Sequence, residues 1–304
     1  MPGSRRSDAP GPDLAVLLPS WELHLRAERK SPQTIKSYGD GVRRYLNFCR
    51  QNHALPLERT SLAAFVAGLL DAGAEPATAR SRQLAVRRYT VWLLEEREID
   101  RDPFAGLRPP KLDVRVVQPL SDEQLSALIK ACSGTEFRDR RDEAILRLMF
   151  ETGARAGEIV AMRLEDVNLA EGRALVVRGK GGKGRSVPFG ASTARALDRW
   201  IRERRKHRLA GGQALWLGER GKEFSYDALH KTLAYRARLA GIDGFRPHLL
   251  RHTAAHRWLA AGGSEGGLMA VAGWTRPDML LRSTQAQASD RAAAEARTLN
   301  LGEL

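Results

Sequence analysis

The chain has 304 residues, 42% of them hydrophobic, enough apolar material for one large or two modest cores. It has no run of about eighteen apolar residues, so no transmembrane helix is expected, and its start, MPGSRRSDAPGPD, lacks the apolar stretch of a secretion signal. Lys and Arg total 50 against 36 Asp and Glu, and the resulting +14 points to a polyanionic partner, most commonly nucleic acid, with an arginine-rich solubilising surface as the alternative.

Residues 1–12 are polar and rich in Pro and Gly and read as a flexible arm. From Leu14 to Ala27 the apolar positions Leu14, Leu17, Leu18, Trp21 and Leu25 predict an amphipathic helix. Ser31 followed by Pro32 is a helix-start signal, and Ile35, Tyr38, Val42, Tyr45, Leu46 and Cys49 continue it at close to a 3.6 period. A third helix is expected over about Leu62 to Leu70, ending near Gly73, and a fourth after Pro76 with Leu84, Val86, Tyr89, Trp92 and Leu93 inward. Together they form a compact four-helix unit. Its Lys30, Lys36, Arg43, Arg80, Arg82 and Arg87 read as outward cations able to face phosphates, or as ordinary solvated helix faces.

Residues 103–119, with four prolines and no helical period, read as a linker. Ser121 with Asp122 and Glu123 behind it starts a second domain. A helix is expected from about Arg138 to Thr152, ended by Gly153, and another of form AGEIVAMRL running to Val167. Ala174–Arg178 and Arg185–Pro188 predict two strands joined by a GKGGKG turn. Helices resume at Thr193 to Lys206, Ser225 to Ala240, Pro247 to Ala261, a short one ending at Gly273, and a Pro277-led one. Glycine breaks are expected at Gly262 and Gly263 and again at Gly266 and Gly267. Asp290 to Leu304 is expected to be helical, with Ala292, Ala296, Leu299 and Leu301 on an apolar face that has little chain left to pack against. Only Cys49 and Cys132 are present, expected to be reduced, and a cytoplasmic protein fits.

Several residues suit phosphate chemistry. Arg155 follows a helix-ending glycine and sits at the start of the next helix, where free amides and the positive dipole end favour an anion. His248 and Arg251 lie three apart and share a helix face, and arginine binds two phosphate oxygens through its planar fork. Lys180, on the hairpin tip, can donate a proton to a leaving oxygen; Lys183 is its competitor, since spacing does not separate them. Trp274 offers an indole N–H or simply packs in a core. His248, His252 and His256 step by four, a spacing that also permits zinc, but no third ligand lies on the segment; no metal and no cofactor is expected, and His252 and His256 read as structural.

In these motifs the chain resembles the tyrosine recombinases, also called phage integrases, including the Xer type. The residues that carry the resemblance are Thr152-Gly153-Ala154-Arg155 with Glu158, Gly179-Lys180-Gly181 with Lys183, His248-Leu249-Leu250-Arg251-His252, and Gly273-Trp274. It covers nearly the whole chain. It implies a mainly α fold with a small β-sheet or hairpin, in a two-domain C-shaped clamp: a helical, SAM-like core-binding domain at 13–102, a mixed α/β catalytic domain at 120–289, and a C-terminal helix at 290–304 docking in trans. The arm is too short for the further arm-site domain of some phage integrases. The resemblance implies Arg155, Lys180, His248, Arg251 and Trp274 as catalytic, with Glu158 and His252 supporting. The partner would be a double-stranded DNA recombination site, bound by a homotetramer with strong salt dependence, and no membrane.

The family joins DNA through a 3′-phosphotyrosine formed by a tyrosine nine residues after the Gly-His/Trp step. Here that slot holds Ser283, and none of the five tyrosines follows Trp274. A serine hydroxyl stops several ångströms short of a phenol, while attack needs atoms about 3–3.5 Å apart, and its pKa is far above the roughly 10 of tyrosine. The expectation is therefore a recombinase or integrase that binds and assembles on DNA but cleaves it poorly, through a deliberate change at Ser283 or a natural loss. A non-catalytic architectural or regulatory DNA-binding protein on the same fold is the alternative, and a type IB topoisomerase shares similar chemistry.

Overall fold

The computed structural model describes residues 12–112, 117–176, 184–219, 221–284 and 288–299. The chain divides into two units, Met1–Val114 and Arg115–Leu304.

The first unit is four helices: α1 (Leu14–Ala27), α2 (Pro32–Gln51), α3 (Arg59–Asp71) and α4 (Pro76–Glu95). The caps are local. Asp13 accepts from the Ala15 and Val16 amides, and Ser31 accepts from Thr34 with Pro32 in the first turn. Trp21 is buried, with its ring stacked on Tyr38 and tilted against Tyr89. The Tyr89 hydroxyl donates to the Leu14 carbonyl at 2.6 Å, so the first turn of α1 is pinned to α4. Tyr45 does the same for the α2–α3 connection through the Pro56 carbonyl at 2.8 Å.

The second unit is built around α6 (Phe137–Thr152), whose Ile145, Leu146, Leu148 and Met149 are almost fully buried. α5 (Asp122–Lys130) precedes it, started by a capping box between Ser121 and Gln124. α7 (Ala156–Val160), a 3₁₀ turn (Leu164–Asp166) and a three-stranded antiparallel sheet follow, with β1 (Val167–Asn168), β2 (Arg173–Val176) and β3 (Arg185–Pro188). The register pairs Ala174 with Val187 and Val176 with Arg185. α8 (Ala191–Arg204), which packs on α6, a small hairpin of β4 (Leu217–Gly218) and β5 (Lys222–Glu223), and α9 (Tyr226–Leu239) come next. α10 (His248–Ala260), α11 (Glu265–Ala272), α12 (Pro277–Thr284) and α13 (Ala288–Leu299) follow, with α10 packed on α6 and α12 on α10.

Buried polar groups fix how these elements meet. Trp200 and Trp216 stack, and their indole N–H groups donate to the carbonyls of Leu215 and Ile159 at 3.0 and 2.7 Å. Arg236 of α9 reaches Asp142 and Asp139 of α6 and the Ala131 carbonyl. Arg204, 1% exposed, donates to the carbonyls of Ala210, Gly212 and Ala214 and so closes the loop after α8. No described helix is long and apolar enough to cross a membrane.

The structure departs from the sequence expectations in two places. The AGEIVAMRL helix stops at Val160 instead of reaching Val167. Leu215 N–H donates to the Met162 carbonyl and Leu164 N–H to the Gln213 carbonyl, which draws this stretch into a bridge between Arg163 and Ala214. Gly266 and Gly267 do not break a helix but lie inside α11, capped by Ser264. Gly267 suits close packing instead, since a Cβ there would press on the Trp258 indole at 3.0 Å, as one on Gly263 would at 2.3 Å, whereas a Cβ on Gly266 would meet nothing within 4 Å. The strand expected to reach Arg178 is described only to Val176; the GKGGKG turn lies outside the described residues up to Gly184.

Gly153 ends α6 in the left-handed region at φ 63°. A Cβ there would sit 3.5 Å from Ala254 Cβ, an ordinary contact, so the backbone angle and not space demands glycine. Gly153→Ala should lower unfolding stability by about 1–2 kcal/mol, read from the denaturant midpoint at unchanged slope. An unaltered midpoint would mean that this turn is not constrained.

Candidate active site

The turn at Gly153 delivers Arg155 to the residue before α7. Its backbone N–H donates to Glu158 Oε2 at 2.9 Å and its Nη1 donates to Oε1, also at 2.9 Å. The first amide of this helix start is therefore taken by a carboxylate of its own chain. Glu158 is buried, with 4% of its side chain exposed. Arg185 of β3 approaches from the other side, its Nη1 and Nη2 reaching Oε1 and Oε2 at 3.0 and 2.7 Å. Burial opposes the Glu158 charge, but the hydrogen bonds and charges of Arg185 and Arg155 outweigh it and hold the pKa at about 2.

Arg251 enters from the first turn of α10. Its Nη1 donates to the Gly153 carbonyl at 2.6 Å and its Nη2 to the Ala272 carbonyl at 2.7 Å. These are carbonyls at the ends of α6 and α11, where the helix dipole favours a cation. The guanidinium also sits 5.0 Å over the Trp274 ring. Arg251 is 4% exposed, and burial, then repulsion from Arg155, pushes its pKa down to about 9, still cationic at neutral pH.

His248 is the first residue of α10 and meets His252 edge-on at 4.7 Å. More than a third of its surface is open to solvent, yet desolvation by its packed side, followed by the charges of His252, Arg251 and Arg155, brings its pKa down to about 4. The ring is neutral at pH 7. Arg155, Glu158, His248 and Arg251 line one cleft of about 760 Å³. Neutral imidazole and two arginines in one cleft can hold a phosphate's oxygens and accept a proton beside it.

Other sequence candidates fall differently. Trp274 is 6% exposed and packs with Ala255, Leu268, Ala272 and Leu280, so it serves a core, and its indole N–H has no hydrogen-bond partner among the described residues. His252 and His256 are buried in α10 and do not line the cleft. Ser283 lies on α12, which packs on α10 and α11; its side chain, like all of Lys180 and Lys183, lies outside what is described. In the first unit Lys30, Lys36 and Arg80 are exposed. Two of the cations expected to face outward, Arg82 and Arg87, are half-buried, while exposed Lys30 and Arg43 meet carboxylates, Lys30 that of Glu28 at 3.4 Å. Arg43 pairs with Glu22 and Asp40, and Arg82 is half-buried and donates to the Ser37 carbonyl at 3.1 Å. Arg87 is half-buried with its Nε enclosed.

Sequence reading missed Arg185, Tyr226, His230 and Arg246. The last three line the cleft, and Tyr226 and His230 have ring centroids 4.5 Å apart. Nothing in the helical period of α9 marks Tyr226 or His230. A strand arginine beside a basic turn, such as Arg185, reads as solvent-facing. An anion entering this cleft favours the imidazolium, so the His248 pKa should rise from about 4 when phosphate is added, as followed by ring ¹⁵N NMR across pH 3–8. A value indifferent to phosphate would place the anion elsewhere.

Residues 118–289 match the phage integrase family, and residues 18–97 its N-terminal SAM-like domain. The tyrosine recombinase XerC of Pseudomonas fluorescens is 30% identical over 242 residues, covering 78% of this chain and 80% of that relative. Among solved structures, the XerH site-specific recombinase bound to a palindromic difH substrate, in a post-cleavage complex, superposes with a TM-score of 0.72 at 17% identity. That match covers 93% of this chain and 84% of XerH. A lambda integrase tetramer bound to a Holliday junction gives 0.67 at 19% identity, over 86% of this chain and 77% of that one. At those identities the structures speak for the fold, and the sequence matches for the family. The chain belongs to the phage integrase family, the tyrosine-type site-specific recombinases.

Proposed function

We propose that this chain binds a double-stranded DNA recombination site and assembles there as a homotetramer, with one scissile phosphate in the cleft of Arg155, His248 and Arg251. The convergence of these three residues from distant segments on one cleft is the observation that carries the reading. In this scheme Arg155 and Arg251 hold the non-bridging oxygens as charge builds on them. His248, neutral at pH 7, takes the proton of the attacking group. Lys180, with Lys183 as its competitor, protonates the departing 5′-oxygen. Trp274 acts by packing under Arg251, and His252 by fixing the His248 ring. The family's bond would be a 3′-phosphotyrosine. With Ser283 in the tyrosine's slot, this chain engages DNA and stops before efficient cleavage.

The domain assignment that goes with this is a core-binding domain at 13–102, a linker at 103–119, a catalytic domain at 120–289 and an exchanged helix at 290–304. The ranges of the two family matches and the division after Val114 support it. Duplex contacts of the first domain fall to exposed Lys30, Lys36, Arg43 and Arg80 before the half-buried Arg82 and Arg87. Two neighbouring structures are DNA complexes, one of them tetrameric. The proposed compartment is the cytoplasm, in keeping with two free, buried cysteines.

The deciding experiment is Ser283→Tyr on a suicide DNA substrate containing the footprinted site. The variant should convert to a covalent protein–DNA adduct on a denaturing gel, while the Ser283 chain gives little or none. Absence of any adduct from Ser283→Tyr would favour the second reading that Ser283 supports, a non-catalytic DNA-binding protein.

Ala292, Ala296 and Leu299 of α13 are exposed, Leu299 at 57%. A neighbouring protomer is the proposed cover, in a head-to-tail ring. Burial of one leucine contributes about 1.5–3 kcal/mol, so truncation after Ser289 should raise the protein concentration needed for the tetramer about ten- to a hundredfold. Mobility shifts on DNA measure it, and unchanged assembly would mean that α13 docks within its own chain.

A further inference from the structure

Arg185 belongs to none of the motifs that carry the family resemblance, yet it touches three parts of the cleft's frame. Its Nη1 and Nη2 make a two-pronged contact to Glu158. Its Nε donates to the Val271 carbonyl, near the end of α11, at 2.7 Å. A Cβ on Gly273 would meet its guanidinium at 3.1 Å, and Gly273 is in the left-handed region at φ 64°, so the turn into Trp274 is shaped around this side chain. Arg185 is also the first residue of β3. Only 13% of its side chain is exposed.

We propose that Arg185 is a positioning residue: it braces Glu158 from behind, and through Glu158 holds the Arg155 guanidinium at the angle the scissile phosphate requires. Glu158 Oε1 receives both Nη1 of Arg155 and Nη1 of Arg185, so the carboxylate cannot rotate toward one without leaving the other. The Val271 carbonyl fixes the third point of the brace. β3, the end of α11 and the start of α7 then move as one body. The planar fork is essential, because a lysine ammonium is a single point of charge and cannot hold two carboxylate oxygens and a carbonyl in one plane. The role in DNA cleavage rests on the function proposed above; the bracing of Glu158 does not.

The test uses the full chain with Arg185→Lys and Arg185→Ala, each with and without Ser283→Tyr, after circular dichroism has shown native helicity. In the Ser283 background, the Glu158 carboxylate is followed by ¹³C NMR, assigned by its loss in Glu158→Gln. Its pKa should climb from about 2 toward the ordinary value of about 4.3 in Arg185→Ala. In the Ser283→Tyr background, adduct formation should slow about 100-fold, the scale of an ångström's misplacement of a reacting group, while affinity for the duplex holds. Methylguanidinium should restore part of the rate to Arg185→Ala, and Arg185→Lys should stay slow. A Glu158 titration that stays near its original value, or an adduct rate untouched by Arg185→Ala, would overturn the proposal. If Ser283→Tyr alone gives no adduct, the recombination reading falls and the titration by itself decides the brace. If Arg185→Ala does not fold, Arg185→Lys decides: wild-type adduct rates with lysine would overturn the need for the fork.

Discussion

A buried carboxylate among arginines is the constraint on which the cleft depends. Glu158 is the one acid among the described residues lining it, and it meets Arg155 and Arg185 while Arg251 and His248 stand close by. Cations gathered this closely repel one another. Glu158 offsets that repulsion and stays ionised far below neutral pH because every nearby group favours its charge. Its desolvation cost is met by hydrogen bonds to both oxygens, the condition under which a buried ion pair is tolerated. The neutral state of His248 follows first from desolvation of its packed side and then from the same crowding of positive charge.

The second constraint is backbone geometry. Arg251 is held by carbonyls from the ends of two helices, α6 and α11, and by the Trp274 ring. Both helices end on glycines in the left-handed region, Gly153 and Gly273. Those turns aim terminal carbonyls inward at a guanidinium; the first leads to Ala154 and Arg155 in the cleft, the second to Trp274 beneath the guanidinium. An arginine held on two sides by fixed dipoles has little rotamer freedom left to lose when an anion binds, so the site is organised in advance of its ligand. The tryptophan thus acts through packing, with its face under the cation and its edge in the small core beneath α10.

The helical first unit applies the same chemistry more loosely. Arg82 and Arg87 are drawn toward a carbonyl or the interior, and Lys30 and Arg43 toward carboxylates, whereas Lys36 and Arg80 remain outward. Counting cations along a helix overstates the charge available to a duplex, because arginine's several donors find partners within their own fold. What the unit offers is a rigid four-helix body, pinned by Tyr45 and Tyr89 hydroxyls to backbone carbonyls, with exposed lysines near the start of α2.

The sequence by itself determined the helices with strong local signals: α1 from Leu14 to Ala27, the Ser31–Pro32 start of α2, the Ser121 cap and the glycine ends at Gly153 and Gly273. Capping, proline placement and apolar period act within a few residues, so the order of residues suffices to read them. It also carried Arg155, His248 and Arg251, because their motifs are local. Tertiary structure alone decided the rest. The stretch after Val160 left its helical period because residues about fifty positions further on supplied hydrogen bonds of another kind. Arg185 became part of the site because β3 happens to run behind Glu158, and Tyr226 and His230 because α9 forms the facing wall. Which cation is spent inside the fold and which is left for a phosphate depends on neighbours brought together only by folding, and no periodicity along the chain encodes that.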